Sequence, residues 1–163
     1  GGLILSEGKI LAIYGTGQGK SAAAIGKAIA TAEMGENVVV IQFLKGLYSE
    51  EYLNRLEPEI RFFRFERSEK AFSDLTGHEQ KEEEVNIRNG LFFARKVLTT
   101  DECKMLILDE VLGIVSEGLI TEEELIGLFK AKNSEQEIIL TGTNLTESVR
   151  NACDVVMNIS KEK

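Results

Sequence analysis

Residues 9–24, "KILAIYGTGQGKSAAA", constrain the fold more than any other stretch of this chain. A short apolar run, 9–14, reads as a strand. Residues 15–19 then carry a glycine at every second position, and an alanine-rich segment follows. Strand, tight glycine turn and helix in that order form the place where a backbone can cradle a phosphate. Glycines at 15, 17 and 19 let backbone N–H groups approach an anion without a Cβ in the way. Lys20 adds a point charge and Ser21 a hydroxyl suited to Mg²⁺. The ordinary loop of this kind reads G-x-x-x-x-G-K-[ST]. Counted back from Gly19, its first glycine would fall at position 14, where Tyr14 stands. The loop is therefore one residue short.

The rest of the chain repeats the alternation. "NVVVIQF" (37–43) is a β-branched run of the sort covered on both faces. "IRFFRF" (60–65), "KMLILDE" (104–110), "EIILTG" (137–142) and "DVVMNI" (154–159) are further strands. Helices are expected over 20–34, closed by Gly35, over 50–57 before Pro58, and over 78–98, with Val85, Leu91, Phe92 and Val97 among its apolar positions. A further helix runs from the Thr121/Glu124 capping box to about Lys132, and a short one covers 146–152. Residues 66–77 lack periodicity and read as a loop. This order predicts an α/β fold: a three-layer sandwich around a mainly parallel sheet of about six strands, forming a single domain over 1–163.

Composition narrows the function. The net charge is −8, from 19 basic and 27 acidic side chains, which argues against a nucleic-acid-binding surface. The apolar runs are strand-sized, so no membrane span is expected. Cys103 and Cys153 have no metal-ligand spacing and read as small buried hydrophobes in a reducing, cytoplasmic setting. His78, the single histidine, and the run "EQKEEE" (79–84) read as a solvated helix face.

A second motif supports the first. "LILDE" ends its strand in Asp109-Glu110 after a run of apolar residues. Carboxylates at the C-terminal end of such a strand hold Mg²⁺ in the Walker-B pattern. The two motifs together, each at a strand end, predict binding of a nucleoside triphosphate.

On these residues the chain resembles the ATP:corrinoid adenosyltransferases, of the cob(I)alamin or cob(I)yrinic acid a,c-diamide type. The likeness lies in the shortened G-x-G-x-G-K-[ST] loop before an alanine-rich helix. It continues in Gln42-Phe43-Leu44-Lys45-Gly46, matching a Q-F-[IL]-K-G signature, and in "LILDEVLGIVSEGLITEEEL" (106–125) and the last strands. The resemblance implies a RecA-like P-loop fold. It also implies transfer of the 5′-deoxyadenosyl group of ATP to the Co(I) of a reduced corrinoid, with release of triphosphate. It assigns ATP binding to Gly15, Thr16, Gly17, Gln18, Gly19, Lys20, Ser21 and Lys45. Mg²⁺ (or Mn²⁺) falls to Ser21 and Glu110, with Asp109 either a ligand or a partner to one. Catalytic work falls to Lys20, Glu110 and Phe72. Phe72 would be the apolar wedge that excludes the lower axial ligand of cobalt. A homodimer and a flavoprotein reductant are also implied.

The chain departs from the family at two points. Thr143 stands where an arginine often follows the "TG" of the fifth strand. Phe72 is the only aromatic of a loop that carries an aromatic pair in family members, and the chain has no Trp. Two other readings stay open at this stage. One is a P-loop NTPase or kinase cleaving at the γ-phosphate, for which no arginine finger or positioned water can be named. The other is a non-catalytic ATP- or corrinoid-binding relative.

Overall fold

The structure, a computed structural model, describes residues 8–43, 55–65 and 67–163. Among these residues six strands form one parallel sheet: β1 (Ile10–Tyr14), β2 (Val38–Gln42), β3 (Ile60–Arg64), β4 (Met105–Asp109), β5 (Glu137–Gly142) and β6 (Val155–Asn158). Their spatial order is β3-β2-β4-β5-β1-β6, and every pairing is parallel. The helices are α1 (Lys20–Glu33), α2 (Gly77–Thr99), α3 (Val111–Ser116), α4 (Glu122–Phe129) and α5 (Glu147–Ala152).

The continuous apolar strands are explained by a core on each side of the sheet. Along β2, Val39 and Ile41 enter one core and Val38 and Val40 the other. Along β4 the split is Leu106 and Leu108 against Met105 and Ile107. A strand buried on both faces has no polar side to alternate with, so its sequence reads as a run rather than a pattern. Ala24 and Ala28 of α1 enter the core that holds Ile13, Val40 and Ile139. Residues of α2, α3, α4 and α5 enter the other. The three expected layers are present.

Four local expectations are corrected. Residues 111–116 form α3, which the sequence did not signal because it carries no cap and spans under two turns. The loop 66–77 contains a 3-10 turn at Phe72–Asp74, and its end is a second capping box: Thr76 accepts from the Glu79 amide while the Glu79 carboxylate accepts from the Thr76 amide. On α2 the buried side chains are Glu83, Ile87, Ala94, Val97 and Leu98, whereas Val85 is 52% and Phe92 70% exposed. At about 100° per residue, Val85 and Phe92 fall roughly opposite Ile87, out of phase with the core stripe. Finally, α4 ends at Phe129, before the expected Lys132. The expected helix 50–57 lies mostly outside the described residues.

Candidate functional site

Strand order decides where the two motifs meet. β5 lies between β1 and β4, so the C-terminal ends of β1 and β4 stand about 10 Å apart, two strand spacings, a gap that side chains of the two motifs can close. This is the C-terminal edge of a parallel sheet, where open α/β folds bind ligands.

The glycine loop is fastened to the neighbouring strand ends. The Gly15 amide donates to the Gly142 and Thr143 carbonyls, both at 3.2 Å, and the Gly17 amide to the Ile159 carbonyl at 2.9 Å. These two amides are thus turned into the protein, not toward an anion as the sequence suggested. Their glycines are needed for close approach: a Cβ at Gly15 would fall 2.2 Å from the Ile159 carbonyl oxygen. Gly19 is needed for conformation, since it caps α1 at φ 98°, a left-handed geometry that costs other residues about 1 kcal/mol. Among the described residues, the amides of Thr16, Gln18, Gly19, Lys20, Ser21 and Ala22 donate to no backbone carbonyl. They include the first amides of α1, whose partners a helix cannot itself supply. Anion binding there is the ordinary use of such amides.

Lys20 folds over the loop. Its Nζ donates to the Gly15 carbonyl at 2.7 Å and the Gly17 carbonyl at 2.9 Å. The ammonium is therefore held at the loop's rim without any carboxylate partner among the hydrogen bonds it makes.

Ser21 reaches across to β4. Its Oγ donates to Asp109 Oδ1 at 2.8 Å, and the same carboxylate oxygen accepts from Thr141 Oγ1 at 2.7 Å. Asp109 is 3% exposed. Glu110 follows in a left-handed conformation, φ 65°, and its amide donates to Thr141 Oγ1 at 2.8 Å. Burial, and then the neighbouring Asp109 charge, raise the Glu110 carboxyl above its usual range; Lys20 and Arg67 pull the other way. An acidic pair left in that state is a place where a cation would be favourable. The donor set of Ser21, Glu110 and Asp109 is oxygen only, which suits Mg²⁺ or Mn²⁺. The described residues contain no group of three or more His, Cys, Asp or Glu side chains gathered for a metal, so such a cation would take its other ligands from phosphate and water.

Lys20, Ser21, Asp109 and Glu110 are thus brought together. Phe72 belongs to the 3-10 turn and packs, half-buried, against the larger core; its carbonyl accepts from Gln80 Nε2 at 2.9 Å. Lys45 lies outside the described residues. Gln42 and Phe43 of the signature are buried at the end of β2, and Gln42 stands beside Asp109 in register. Two residues escaped the sequence reading. Thr141 was legible only as a strand residue. Arg67, 6% exposed, pairs with Glu117 and sits with its Nε 3.6 Å from Glu83 Oε1. Glu83 is therefore buried, which corrects its assignment to a solvated face. His78 is exposed as expected, with Nε2 3.0 Å from Glu82. Cys103 is buried but Cys153 only partly so.

The family model described as ATP:corrinoid adenosyltransferase BtuR/CobO/CobP matches residues 6–163. The chain belongs to this family. It is 27% identical over 158 residues to the corrinoid adenosyltransferase CobA of Salmonella typhimurium, covering 96% of this chain and 79% of that one. It is 26% identical over 157 residues to a corrinoid adenosyltransferase of Escherichia coli strain K12, with 96% and 79% covered. Among solved structures, it resembles a KaiC-like protein of Pyrococcus horikoshii at a TM-score of 0.61 and 21% identity, covering 98% of this chain and 74% of that one. It also resembles the flagellar accessory protein FlaH of Methanocaldococcus jannaschii, at 0.61 and 15%, covering 94% and 72%. These two likenesses show the fold alone, an α/β sandwich of RecA-like type. Membership of the adenosyltransferase family makes the chain an enzyme of ATP-dependent adenosyl transfer, with ATP and a corrinoid as substrates. No described helix is long and apolar enough to cross a membrane.

Proposed function

We propose that this chain moves the 5′-deoxyadenosyl group of ATP onto the Co(I) of a reduced corrinoid and releases the triphosphate whole. One observation carries the reading: Lys20 folds over a loop whose amides at 16 and 18–22 donate to no described backbone carbonyl, and Ser21 joins that loop to Asp109, beside Glu110. That arrangement grips and neutralises a polyphosphate. No protein group has to activate a nucleophile there, because the corrinoid's cobalt is the nucleophile.

The electron pair on Co(I) attacks C5′ of ATP. The C5′–O bond breaks, and its electrons leave on the triphosphate. Stabilising that departing charge is the protein's contribution. The amides at the start of α1 and the Lys20 ammonium supply it on one side. On the other, Ser21 and Glu110 would hold Mg²⁺ or Mn²⁺, which adds positive charge next to the leaving oxygens. Asp109 serves through Ser21: by accepting the hydroxyl's hydrogen bond it leaves the Ser21 lone pairs free to face a cation. Lys45 joins the phosphate contacts. Phe72 is the wedge against cobalt's lower ligand. The adenosyltransferase relatives support the transfer; a homodimer, a flavoprotein reductant and a cytoplasmic setting are added only as what the sequence resemblance implies.

Phosphorus NMR tests it. Incubated with ATP, Mg²⁺ and a reduced corrinoid, the protein should form intact triphosphate, and only when the corrinoid is present. ADP and phosphate formed without corrinoid would replace adenosyl transfer by γ-phosphate hydrolysis.

A further inference from the structure

Thr141 makes two hydrogen bonds of opposite sense with one fully buried hydroxyl. It has 0% exposure. Its Oγ1 accepts the Glu110 N–H at 2.8 Å and donates to Asp109 Oδ1 at 2.7 Å. A hydroxyl has a single proton; Asp109, acceptor-only when ionised, takes it, and the lone pairs are left for the amide. Ser21 gives its own proton to that same Asp109 oxygen at 2.8 Å. The result is one chain of hydrogen bonds, from the Glu110 amide through Thr141 and Asp109 to Ser21.

We propose that Thr141 is the positioning residue of the cation site, setting the directions of both Glu110 and Ser21 without touching the cation. This rests on the reading that Ser21 and Glu110 hold a divalent ion. The argument is geometric. Glu110 occupies φ 65°, an unfavourable conformation for a residue with a Cβ. Its carbonyl is held by the Gly113 amide at 3.1 Å, and its own amide by Thr141. Rotating that peptide would re-aim the Glu110 side chain. Among the described strands, β5 alone is adjacent to both β1 and β4. A residue at its C-terminal end is thus the natural bridge between the loop's serine and the carboxylates. Thr141→Val keeps the shape of the side chain and removes the hydroxyl. It leaves a buried amide with no acceptor and Asp109 Oδ1 with Ser21 alone.

Mn²⁺ is the probe, since its free ion has an EPR signal. Mn²⁺ affinity is measured with ATP present; ATP affinity is measured separately in a chelator, by calorimetry. For Thr141→Val, Mn²⁺ affinity should fall about tenfold or more, the usual cost of losing a partner behind a metal ligand. ATP affinity without metal should change by less than about twofold. Thr141→Ser, which keeps the hydroxyl, should restore Mn²⁺ binding to within about threefold of the original. If Thr141→Val fails to fold, Thr141→Ala replaces it, with the same expectation. Unchanged Mn²⁺ affinity in Thr141→Val would overturn the proposal. So would equal damage in the serine variant, or an equal fall of ATP affinity in chelator, which would mark a collapsed loop. Failure of the unaltered protein to bind Mn²⁺ with ATP would instead remove the cation reading on which the proposal stands.

Discussion

At the scale of single residues, the proposed site carries unbalanced charge of both signs. Lys20 is spent on two carbonyls of its own loop, interactions that a polyphosphate easily outcompetes. Lys20→Ala should therefore lower ATP affinity on the order of a hundredfold, the worth of about two charge-assisted hydrogen bonds. The melting curve should barely move; calorimetric titration with Mg·ATP that showed full affinity would end the phosphate-loop reading. Glu110 carries the opposite imbalance. Burial and Asp109 raise its carboxyl, so the folded protein holds that proton more tightly than the unfolded chain. Its contribution is then favourable below the unfolded pKa, about 4.3, and is lost as pH rises through the raised value. At neutral pH the raised carboxyl costs stability. Glu110→Gln should thus melt at a higher temperature than the original protein in metal-free buffer at pH 7, with the gain shrinking toward pH 4. A gain of equal size at both pH values would mean that charge is not its source.

Among elements, the segment that follows β3 is anchored by a buried ion cluster. Arg67 and Glu83 have side chains 4% and 5% exposed, and the Glu83 carboxylate also accepts the Ser68 amide at 3.0 Å. The cluster ties this segment to α2 and, through Glu117, to the end of α3. Truncating one partner strands the other's charge away from water, at a cost of about 3–5 kcal/mol. Arg67→Ala should show that loss in denaturant melts, and Arg67→Met with Glu83→Leu should recover much of it. A double variant as unstable as the single one would contradict this account. The same segment carries Phe72. If Phe72 displaces cobalt's lower ligand, Phe72→Ala should slow adenosylation from Co(II) far more than from pre-reduced Co(I). Equal slowing in both assays would leave Phe72 as the core contact it visibly is.

Across the whole molecule, a single sheet with a core on each face joins every described strand. Strands β2 and β4 are buried along their full length, so neither core can melt without exposing the other. Thermal unfolding in a scanning calorimeter should show one cooperative transition over 1–163. Two separable transitions would divide the chain into independent units. The exposed edge strand β6, with Val155 and Met157 each 39% exposed, should exchange its amides fastest of the six strands.

The sequence by itself determined the alternation of strands and helices, the loop with its lysine and serine, and the acidic pair. Each of these is a local signal: a turn that needs glycine, a run buried on two faces, carboxylates at a strand end. Its resemblance to the adenosyltransferases was legible for the same reason, since the motif residues are close in the chain. What only the tertiary structure decided depends on contacts between distant segments. Gly15 and Gly17 turned out to fasten the loop to Gly142, Thr143 and Ile159, more than a hundred residues away. Glu83 looked like part of a solvated run until Arg67 gave it a buried partner. Thr141 was one strand residue among several until the order β4-β5-β1 placed it between the two motifs. Strand order is fixed by how the helices pack across the sheet, a choice that no local pattern of residues encodes.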